Sequence, residues 1–262
     1  MDKFLFKKFL GQVFLVDQNI QRKIINACDF KPQDYVLEIG AGNGKLTELI
    51  LEKGAKVFAL EVDYHLYEEL KKKFFKRENI KILKKSILDF NIKKYFKDIS
   101  EIKVFGNIPY YITSPIISHL IKHRDKINEA YLTVQKEFAQ RIISLPGSKL
   151  YGMIACYVQY YTDPEILFYI KKRSFYPVPK VDSCFIKLKF KRGLTLDPKE
   201  ENELFRIIHF AFNKRRKMLK NNLKGIVAQE KLEKFFKRFN ISAQTRAEEL
   251  SIYDFINLLK TD

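Results

Sequence analysis

Apolar and polar positions in the first 190 residues alternate between two patterns. Short apolar runs, bounded by glycine or polar residues, indicate buried strands, and segments with apolar residues at helical spacing follow most of them. The predicted strands are residues 35–40, 56–62, 79–85, 102–107, 129–135, 165–171 and 183–190. Strands separated by helices are typical of a parallel, doubly wound sheet. We expect the last two strands to form an antiparallel edge, which mixed sheets often carry.

The pattern changes near Gly193, and from Pro198 onward only helical spacing is present. The apolar residues that carry this spacing are Leu204, Ile207, Ile208, Ala211, Met218 and Leu219. We therefore predict a sheet domain over residues 1–192 and a small all-helical domain over residues 193–262. The predicted fold class is α/β, with a mixed seven-stranded sheet in the first domain.

Composition and cysteine content narrow the class of protein. Hydrophobic residues make up 46% of the 262 residues, which is typical of a folded globular chain. No apolar run approaches the roughly 20 residues that span a bilayer, and the N-terminus has no pattern of a signal peptide. The three cysteines, Cys28, Cys156 and Cys184, are far apart and favour buried thiols over a disulfide framework or a metal site. We predict a cytoplasmic monomer with no metal and no membrane partner.

The net charge points to a polyanionic partner. Lys and Arg total 49 against 31 Asp and Glu, so the formal charge is +18. A field of this size favours association with nucleic acid. A lysine-rich composition that only solvates the surface is the competing interpretation.

The first predicted strand ends in the sequence E-I-G-A-G-N-G, which contains Glu38, Gly40, Gly42 and Gly44. Glycines after a strand allow a tight turn into a helix and close approach of a ligand to the backbone. The third glycine of the dinucleotide fingerprint is replaced by Lys45, and a carboxylate at position 38 would repel a pyrophosphate. Both features favour S-adenosylmethionine, which carries an ammonium and a sulfonium and no phosphate.

Acidic and polar residues follow the next two strands. Glu61 lies 21 residues after Gly40, where an acid commonly accepts hydrogen bonds from ribose hydroxyls. Asp63 is a rival, because strand alternation puts it on the same face. Ser86 follows the third strand and could bind the adenine amine or cap a helix.

The sequence F-G-N-I-P-Y-Y (105–111) follows the fourth strand, at the edge of the sheet where ligands bind. An adenine amine is a poor nucleophile, since its lone pair is shared with the ring. The Asn107 oxygen and the carbonyl of Ile108 or Pro109 could accept its hydrogens and localise that lone pair. Proline fixes the direction of the carbonyl, and Tyr110 offers a face for a flipped base. An Asx-turn with a core tyrosine is the alternative.

With these motifs in view, the chain resembles the KsgA/RsmA family of small-subunit ribosomal RNA adenine N6,N6-dimethyltransferases. The similarity runs from Phe9 to Leu258, and it rests on an ordered set of motifs. These are F-L-G-Q-V-F-L (9–15), E-I-G-A-G-N-G-K-L-T-E (38–48), A-L-E-V-D (59–63), V-F-G-N-I-P-Y (104–110), Q-K-E (135–137), Y-G (151–152), F-Y-P-V-P-K-V-D-S (175–183), F-N-K-R-R-K (212–217) and R-A-E-E-L-S (246–251).

The resemblance implies a Rossmann-like methyltransferase fold, S-adenosylmethionine as cofactor and a set of site residues. The implied cofactor contacts are Gln12, Val13, Leu15, Gly40, Gly42, Glu61, Val62, Ser86, Ile87 and Asn107. Asn107, Pro109 and Tyr110 would be catalytic, and Phe175 would be a second aromatic at the target base, opposite Tyr110. Two positions depart from the family pattern: Val13 replaces a common Asn or His, and Ser86 replaces an acid.

A basic segment near the start of the helical domain fits an RNA partner. Residues 206–224 contain seven Lys and Arg and no acidic residue. The predicted contacts with the RNA backbone are Lys214, Arg215, Arg216, Lys217 and Lys220. Such residues bind phosphates with little sequence information, although a solvated amphipathic helix would have the same composition.

The sequence thus predicts an enzyme that dimethylates two adjacent adenosines near the 3′ end of small-subunit rRNA, in a partly assembled subunit. That target comes from the resemblance, whereas the residues themselves support an amine in a flipped base. A related family that methylates a large-subunit rRNA adenine and confers antibiotic resistance shares the glycine turn and N-I-P-Y. A non-catalytic ribosome-assembly factor and a nicotinamide oxidoreductase are the other hypotheses.

Overall fold

The computed structural model describes residues 13–214 and 216–262. The strands are β1 (Phe14–Leu15), β2 (Tyr35–Ile39), β3 (Lys56–Glu61), β4 (Ile80–Lys84), β5 (Ile102–Asn107), β6 (Ile127–Gln135), β7 (Thr162–Ile170), β8 (Phe175–Tyr176) and β9 (Ser183–Phe190). The helices are α1 (Gln18–Ala27), α2 (Lys45–Glu52), α3 (Tyr64–Lys73), α4 (Ile92–Tyr95), α5 (Thr113–Lys122), α6 (Lys136–Ile142), α7 (Met153–Tyr161), α8 (Pro198–Ala211), α9 (Leu219–Asn222), α10 (Gln229–Arg238) and α11 (Ile252–Leu259).

Seven strands form one mixed sheet in the order β4-β3-β2-β5-β6-β9-β7. The pairs from β4 through β6 are parallel, and β9 pairs antiparallel with β6. The predicted mixed seven-stranded sheet is therefore confirmed. A separate antiparallel pair joins β1 to β8, and the sequence did not predict it, because two residues are too few to show a periodic pattern.

The central strands of the sheet are largely apolar because helices cover both faces of a parallel sheet. In β2, Val36 and Leu37 have no exposed surface, and in β5 the same holds for Val104. Lys103 lies near the start of β5, whereas Glu38 and Asn107 lie at or near the carboxyl ends of β2 and β5. Since parallel strands all end at the same edge, Glu38 and Asn107 both lie near that edge.

Gly106 permits the close approach of β2 and β5 just before Asn107. Gly106 pairs with Ile39, and a Cβ added at position 106 would lie 3.1 Å from the Ile39 Cβ and 3.2 Å from the Ile39 carbonyl oxygen. It would also lie 2.9 Å from Cγ2 of Ile108. Any larger residue would thus push β5 away from its neighbour and displace the following asparagine.

The chain divides into two compact units, of which the first comprises the described residues up to Ala139 together with Glu165–Phe190. The second comprises Gln140–Pro164 and Lys191–Asp262. This division differs from the predicted domains 1–192 and 193–262, because residues 140–164 group with the C-terminal helices.

The segment 140–164 joins the second unit through the packing of α7 on α8 and α11. The Tyr161 hydroxyl donates to the buried Glu201 carboxylate at 2.9 Å, and the rings of Tyr161 and Phe205 stack with centroids 5.6 Å apart. Helical spacing in α7 gave no sign of this partner, since an apolar face fits a sheet or another helix equally well.

The helical spacing expected through Met218 is interrupted in the structure. Helix α8 ends at Ala211 and α9 begins at Leu219. The Asn222 Nδ2 donates to the carbonyls of Ala211 at 2.7 Å and Lys214 at 3.1 Å. These bonds satisfy carbonyls that the end of a helix leaves without partners, and Lys214, Arg216 and Lys217 of the basic segment lie in the turn between the two helices.

The three cysteines, Cys28, Cys156 and Cys184, are free and buried, as predicted. Burial raises the pKa of the Cys156 thiol to about 11, so it stays protonated at neutral pH. Among the described residues, no helix is long and apolar enough to cross a membrane. Within the same residues, no group of three His, Cys, Asp or Glu side chains could hold a metal ion.

We predict that Gly106→Ala destabilises the protein by roughly 1–3 kcal/mol, because an added methyl in a packed site forces the backbone to shift. Urea unfolding of the variant and the wild type measures the difference. Gly152→Ala is the matched control, since Gly152 has an extended φ of −179° and a Cβ there meets nothing within 4 Å. Equal stability of the two variants would contradict the close-approach argument.

Candidate active site

A cavity of about 330 Å³ lies at the carboxyl edge of the parallel strands. Its walls come from β1, the turn after β2, the ends of β3 and β4, and the loop after β5. The residues predicted for the cofactor that line it are Val13, Leu15, Gly40, Gly42, Glu61, Val62, Ser86, Ile87 and Asn107. The predicted catalytic residues Pro109 and Tyr110 line the same cavity, whereas Gln12 lies outside the described residues.

The Glu61 carboxylate fixes the shape of the cavity by accepting three backbone hydrogen bonds. Oε2 accepts from the Gly42 N–H at 2.8 Å, and Oε1 accepts from Val62 at 2.8 Å and Asp63 at 2.9 Å. The turn after β2 is therefore tied to the end of β3. Burial raises the pKa of Glu61 despite these bonds. Because each carboxylate oxygen has two lone pairs, Oε2 can accept a further donor such as a ribose hydroxyl.

Asp63, the rival of Glu61, has a different role in the structure. Its Oδ1 accepts from the N–H groups of His65 at 2.9 Å and Leu66 at 3.4 Å, and so it caps the N-terminus of α3. Aspartate is among the residues preferred at this position. Asp63 does not line the cavity, so the structure favours Glu61 as the acid of the site.

Glu38 is a second buried carboxylate on the cavity wall, with 2% of its surface exposed. Burial raises its pKa to about 7, although Thr47 Oγ1 donates to Oε2 at 2.7 Å. The ionised form of Glu38 has little solvent to stabilise it. A cation in the cavity would restore that stabilisation, and this fits the ammonium-bearing ligand expected from the sequence.

Ser86 caps a helix, which is one of the two roles that the sequence left open, and it also lies on the cavity wall. Its hydroxyl accepts from the Leu88 N–H at 3.2 Å and caps a short 3₁₀ helix, and the residue also lines the cavity. Beside it lie two exposed apolar side chains, Leu88 (39% exposed) and Val62 (50% exposed). Together with buried Ile87 they give this end of the cavity an apolar lining suited to a flat ring. Leu88 was not predicted, because an isolated leucine in a loop gives no signal in the sequence.

The Asn107 side chain is held by the backbone of Val13. Its Nδ2 donates to the Val13 carbonyl at 2.9 Å. Because a carbonyl only accepts, this bond places the amide nitrogen towards β1 and leaves Oδ1 as the acceptor on the other side. The Val13 side chain has no hydrogen-bonding group, yet its main chain provides the contact that orients the amide.

Tyr110 is fixed at both ends of its side chain. A 3₁₀ turn over Tyr110–Ile112 follows Pro109, whose carbonyl accepts from the Ile112 N–H at 3.3 Å. The Tyr110 hydroxyl lies 2.6 Å from Ser183 Oγ, and burial raises its pKa. Its neighbour Tyr111 also lines the cavity and is 63% exposed. Ser183 was not predicted as a site residue, although it ends the motif F-Y-P-V-P-K-V-D-S.

The structure does not bring Phe175 to the cavity, where it was predicted to face the target base. Phe175 pairs with Leu15 between β8 and β1, and both residues are buried in the core. Alternation along the strand then puts Tyr176 on the other face, opposite Phe14. Phe14 lines the cavity, and Tyr176 is 54% exposed.

Comparison of the sequence with known proteins shows the family of this chain. The model of the family described as ribosomal RNA adenine dimethylase matches residues 3–261. The ribosomal RNA small subunit methyltransferase A of Fusobacterium nucleatum subsp. nucleatum is 39% identical over 261 residues, which cover 98% of each chain. The chain belongs to the ribosomal RNA adenine dimethylase family. The resemblance stated from the sequence is thereby confirmed.

Two solved structures share the fold of this chain. A dimethyladenosine transferase from Plasmodium falciparum matches with a TM-score of 0.81 and 27% identity, over 94% of this chain and 95% of that chain. The 23S rRNA methyltransferase ErmE matches with a TM-score of 0.75 over 95% of this chain and 98% of that chain. Its identity of 22% shows a shared fold alone.

The ribosomal RNA adenine dimethylase family and its fold imply S-adenosylmethionine as the cofactor, and the residues present fit it. The buried Glu38 carboxylate matches a cationic group, and Glu61 has lone pairs left for hydroxyl donors. The apolar surfaces of Val62, Ile87 and Leu88 match a flat ring. Asn107 and Tyr110 line the same cavity as these apolar residues.

We predict that Glu38→Gln removes a pH-dependent loss of stability in the cofactor-free protein. Between the ordinary pKa of 4.5 and the raised pKa of about 7, the folded state keeps a proton that the unfolded state releases. The stability contributed by the protonated Glu38 is therefore complete below pH 4.5 and lost as the pH rises through 7. The wild type should lose roughly 2–3 kcal/mol relative to the glutamine variant over this range.

Denaturant unfolding of both proteins at pH 5 and pH 8 measures this difference. Glu52→Gln is the matched control, because it removes the same formal charge from an exposed position on the same helix as Thr47. A wild-type to Glu38→Gln difference that is equal at the two pH values would contradict the assignment of a buried, proton-binding carboxyl to position 38.

Proposed function

We propose that this protein uses S-adenosylmethionine to dimethylate the N6 amines of two adjacent adenosines near the 3′ end of small-subunit ribosomal RNA. Membership in the ribosomal RNA adenine dimethylase family supports the reaction, and the names of its relatives support the small subunit. The observation that carries the proposal is the orientation of Asn107, whose amide nitrogen is held by Val13 on the wall of the cavity. The substrate would be a partly assembled subunit in the cytoplasm.

The Asn107 amide can increase the nucleophilicity of an adenine amine. With Nδ2 bonded to Val13, Oδ1 is the acceptor available to one hydrogen of the amine. A second acceptor on the other hydrogen would complete the localisation of the lone pair. The carbonyl of Ile108 or of Pro109 could be this second acceptor, since the Pro109 carbonyl, which accepts from Ile112, keeps a second lone pair.

Positioning of the reacting groups is expected to be the main contribution of the chain to catalysis. The cofactor supplies an electrophilic methyl group when bound. Since the amine becomes strongly acidic once methylated, no strong general base is required, and electrostatic preorganisation is the main contribution of the chain. Tyr110 offers an aromatic face beside Asn107, and stacking of a base on an aromatic ring contributes about 1–3 kcal/mol. This interaction would offset part of the cost of extruding the base from its helix.

Incubation with unmethylated small subunits and labelled S-adenosylmethionine tests the proposed function. After digestion of the RNA, label in dimethyladenosine at two adjacent positions is the expected result. Label in large-subunit RNA would instead favour the resistance-type enzyme. Binding of the cofactor without transfer to either subunit would favour the assembly factor, and binding of NADH in its place would favour an oxidoreductase.

We predict that Asn107→Ala lowers the rate of methyl transfer at least 100-fold, as expected for the loss of one preorganised electrostatic partner. Binding of RNA should change little, because the reacting amine is the one RNA group that Asn107 Oδ1 is proposed to contact, while its Nδ2 bonds to Val13. Single-turnover kinetics and filter binding with small subunits separate the two effects.

Asn79→Ala is the matched control for this prediction. Its Nδ2 also donates to a backbone carbonyl, that of Ala55 at 3.0 Å, and Asn79 does not line the cavity. The control should keep the wild-type rate of transfer. An unchanged rate in Asn107→Ala would remove the lone-pair argument.

The basic turn after α8 is the proposed contact with the RNA backbone. Lys214, Arg216, Lys217 and Lys220 are exposed, and Arg215 lies outside the described residues. Asn222 fixes this turn through the Lys214 carbonyl. Arg206 differs from this group, because Glu203 accepts two of its hydrogen bonds at 2.8 Å.

We predict that the triple change Lys214→Ala, Arg216→Ala and Lys217→Ala weakens RNA binding and reduces its salt dependence. Each lost phosphate contact should lower the slope of log K against log salt by about 0.7–0.9. Titration of small subunits at several salt concentrations measures the slope.

Three exposed cations at the end of α3 provide a matched control, with the changes Lys72→Ala, Lys76→Ala and Arg77→Ala. This variant has the same net charge as the first, so a non-specific effect of charge would alter both equally. Equal slopes in the two variants would contradict a specific role for the basic turn.

A further inference from the structure

Two segments that are distant in the sequence meet at Tyr110. Its hydroxyl lies 2.6 Å from Ser183 Oγ, across a separation of 73 residues. Ser183 is fully buried, and it is the first residue of β9. The Tyr110 ring is only partly buried and lines the cavity. The hydrogen bond thus joins a side chain on the cavity wall to a buried residue at the start of a strand in the sheet.

The backbone at Ser183 is held by strand pairing and by the hydrogen bonds of the preceding residue. Ser183 pairs with Gln135 in the antiparallel β6–β9 ladder. The preceding residue, Asp182, accepts from the Lys136 N–H through its carbonyl at 3.1 Å. Its carboxylate Oδ1 accepts from the Lys172 N–H at 2.9 Å. Rotation of the Ser183 side chain is therefore the main freedom left at this position.

We propose that Ser183 is a positioning residue that holds the Tyr110 ring in the orientation that receives the target base. The 3₁₀ turn after Pro109 fixes the backbone end of the tyrosine, and Ser183 fixes the hydroxyl end. A ring ordered in advance does not lose rotational freedom when the base binds, and this lowers the cost of association. The part of the inference that concerns the base rests on the proposed function.

A double-mutant cycle tests whether the two hydroxyls act as one unit. Ser183→Ala and Tyr110→Phe each remove one partner of the bond, and the phenylalanine keeps the aromatic face. We expect each single variant to lower kcat/KM on unmethylated small subunits by about 3- to 10-fold, the range for loss of order in one side chain. The double variant should be no slower than the slower single variant, because the bond is lost only once.

Two further measurements separate positioning from general destabilisation. Ser183→Thr keeps the hydroxyl and should recover most of the kcat/KM lost in Ser183→Ala. The affinity for S-adenosylmethionine, measured by calorimetry, should stay within about twofold of the wild type, since Ser183 does not line the cavity. Ser174→Ala is the matched control, because Ser174 is also a buried serine of the first unit, and its hydroxyl bonds to Asp17.

Multiplicative losses in the double variant would overturn the proposal, because Ser183 would then act independently of the Tyr110 hydroxyl. Equal losses in Ser174→Ala and Ser183→Ala would overturn it as well, since the effect would follow any buried serine.

The contact can also be tested without the reaction. With fluorotyrosine incorporated and the Tyr110 signal assigned by its absence in Tyr110→Phe, Ser183→Ala should shift and sharpen the fluorine resonance of Tyr110. An unchanged resonance would overturn the positioning role even if the enzyme is active. An inactive wild type with a shifted resonance would instead contradict the proposed function and leave the positioning contact in place.

Discussion

The hydrogen bonds of the Glu61 carboxylate are the interaction on which the cavity depends. This one side chain accepts from Gly42 in the turn after β2 and from two backbone N–H groups at the end of β3. The N–H groups of Gly40 and Ala41 also bond to the Leu60 carbonyl, so the glycine turn is held against β3 along its length. A carboxylate buried for this structural task is also the acid best placed to meet a hydroxyl-bearing ligand.

The two sides of the cavity are built by different physical means. On the side of the glycine turn lie two buried carboxyl groups, and burial raises the pKa of both Glu38 and Glu61, so a cation beside them would favour their ionised forms. Such a wall is suited to a cationic ligand. On the side of β5, neutral groups predominate, and the Val13 carbonyl and the Ser183 hydroxyl orient Asn107 and Tyr110. Charge thus selects the ligand on one side, and fixed hydrogen bonds orient the reacting groups on the other.

Strong local patterns account for what the sequence predicted well. The seven strands of the main sheet and the placement of Asn107 at the end of β5 followed from apolar runs and from the order of strands and helices. The departures lie where local patterns are weak or fit two partners. The β1–β8 pair has two residues in each strand, and the apolar face of α7 could pack on the sheet or on helices. Phe175 shows the limit most clearly, because its strand is too short for its sequence to reveal which face is buried.

The sequence by itself determined which chemical group follows which strand. A glycine turn follows one strand, an acid follows the next, and an amide with proline and tyrosine comes at the end of β5. These features are local, since backbone freedom, charge and chain stiffness belong to the residues themselves. Only the tertiary structure decided which atoms face one another. The partners of Asn107 and Tyr110 lie 94 and 73 residues away in the chain, and contacts across such separations depend on the register and packing of the sheet, which no local pattern specifies.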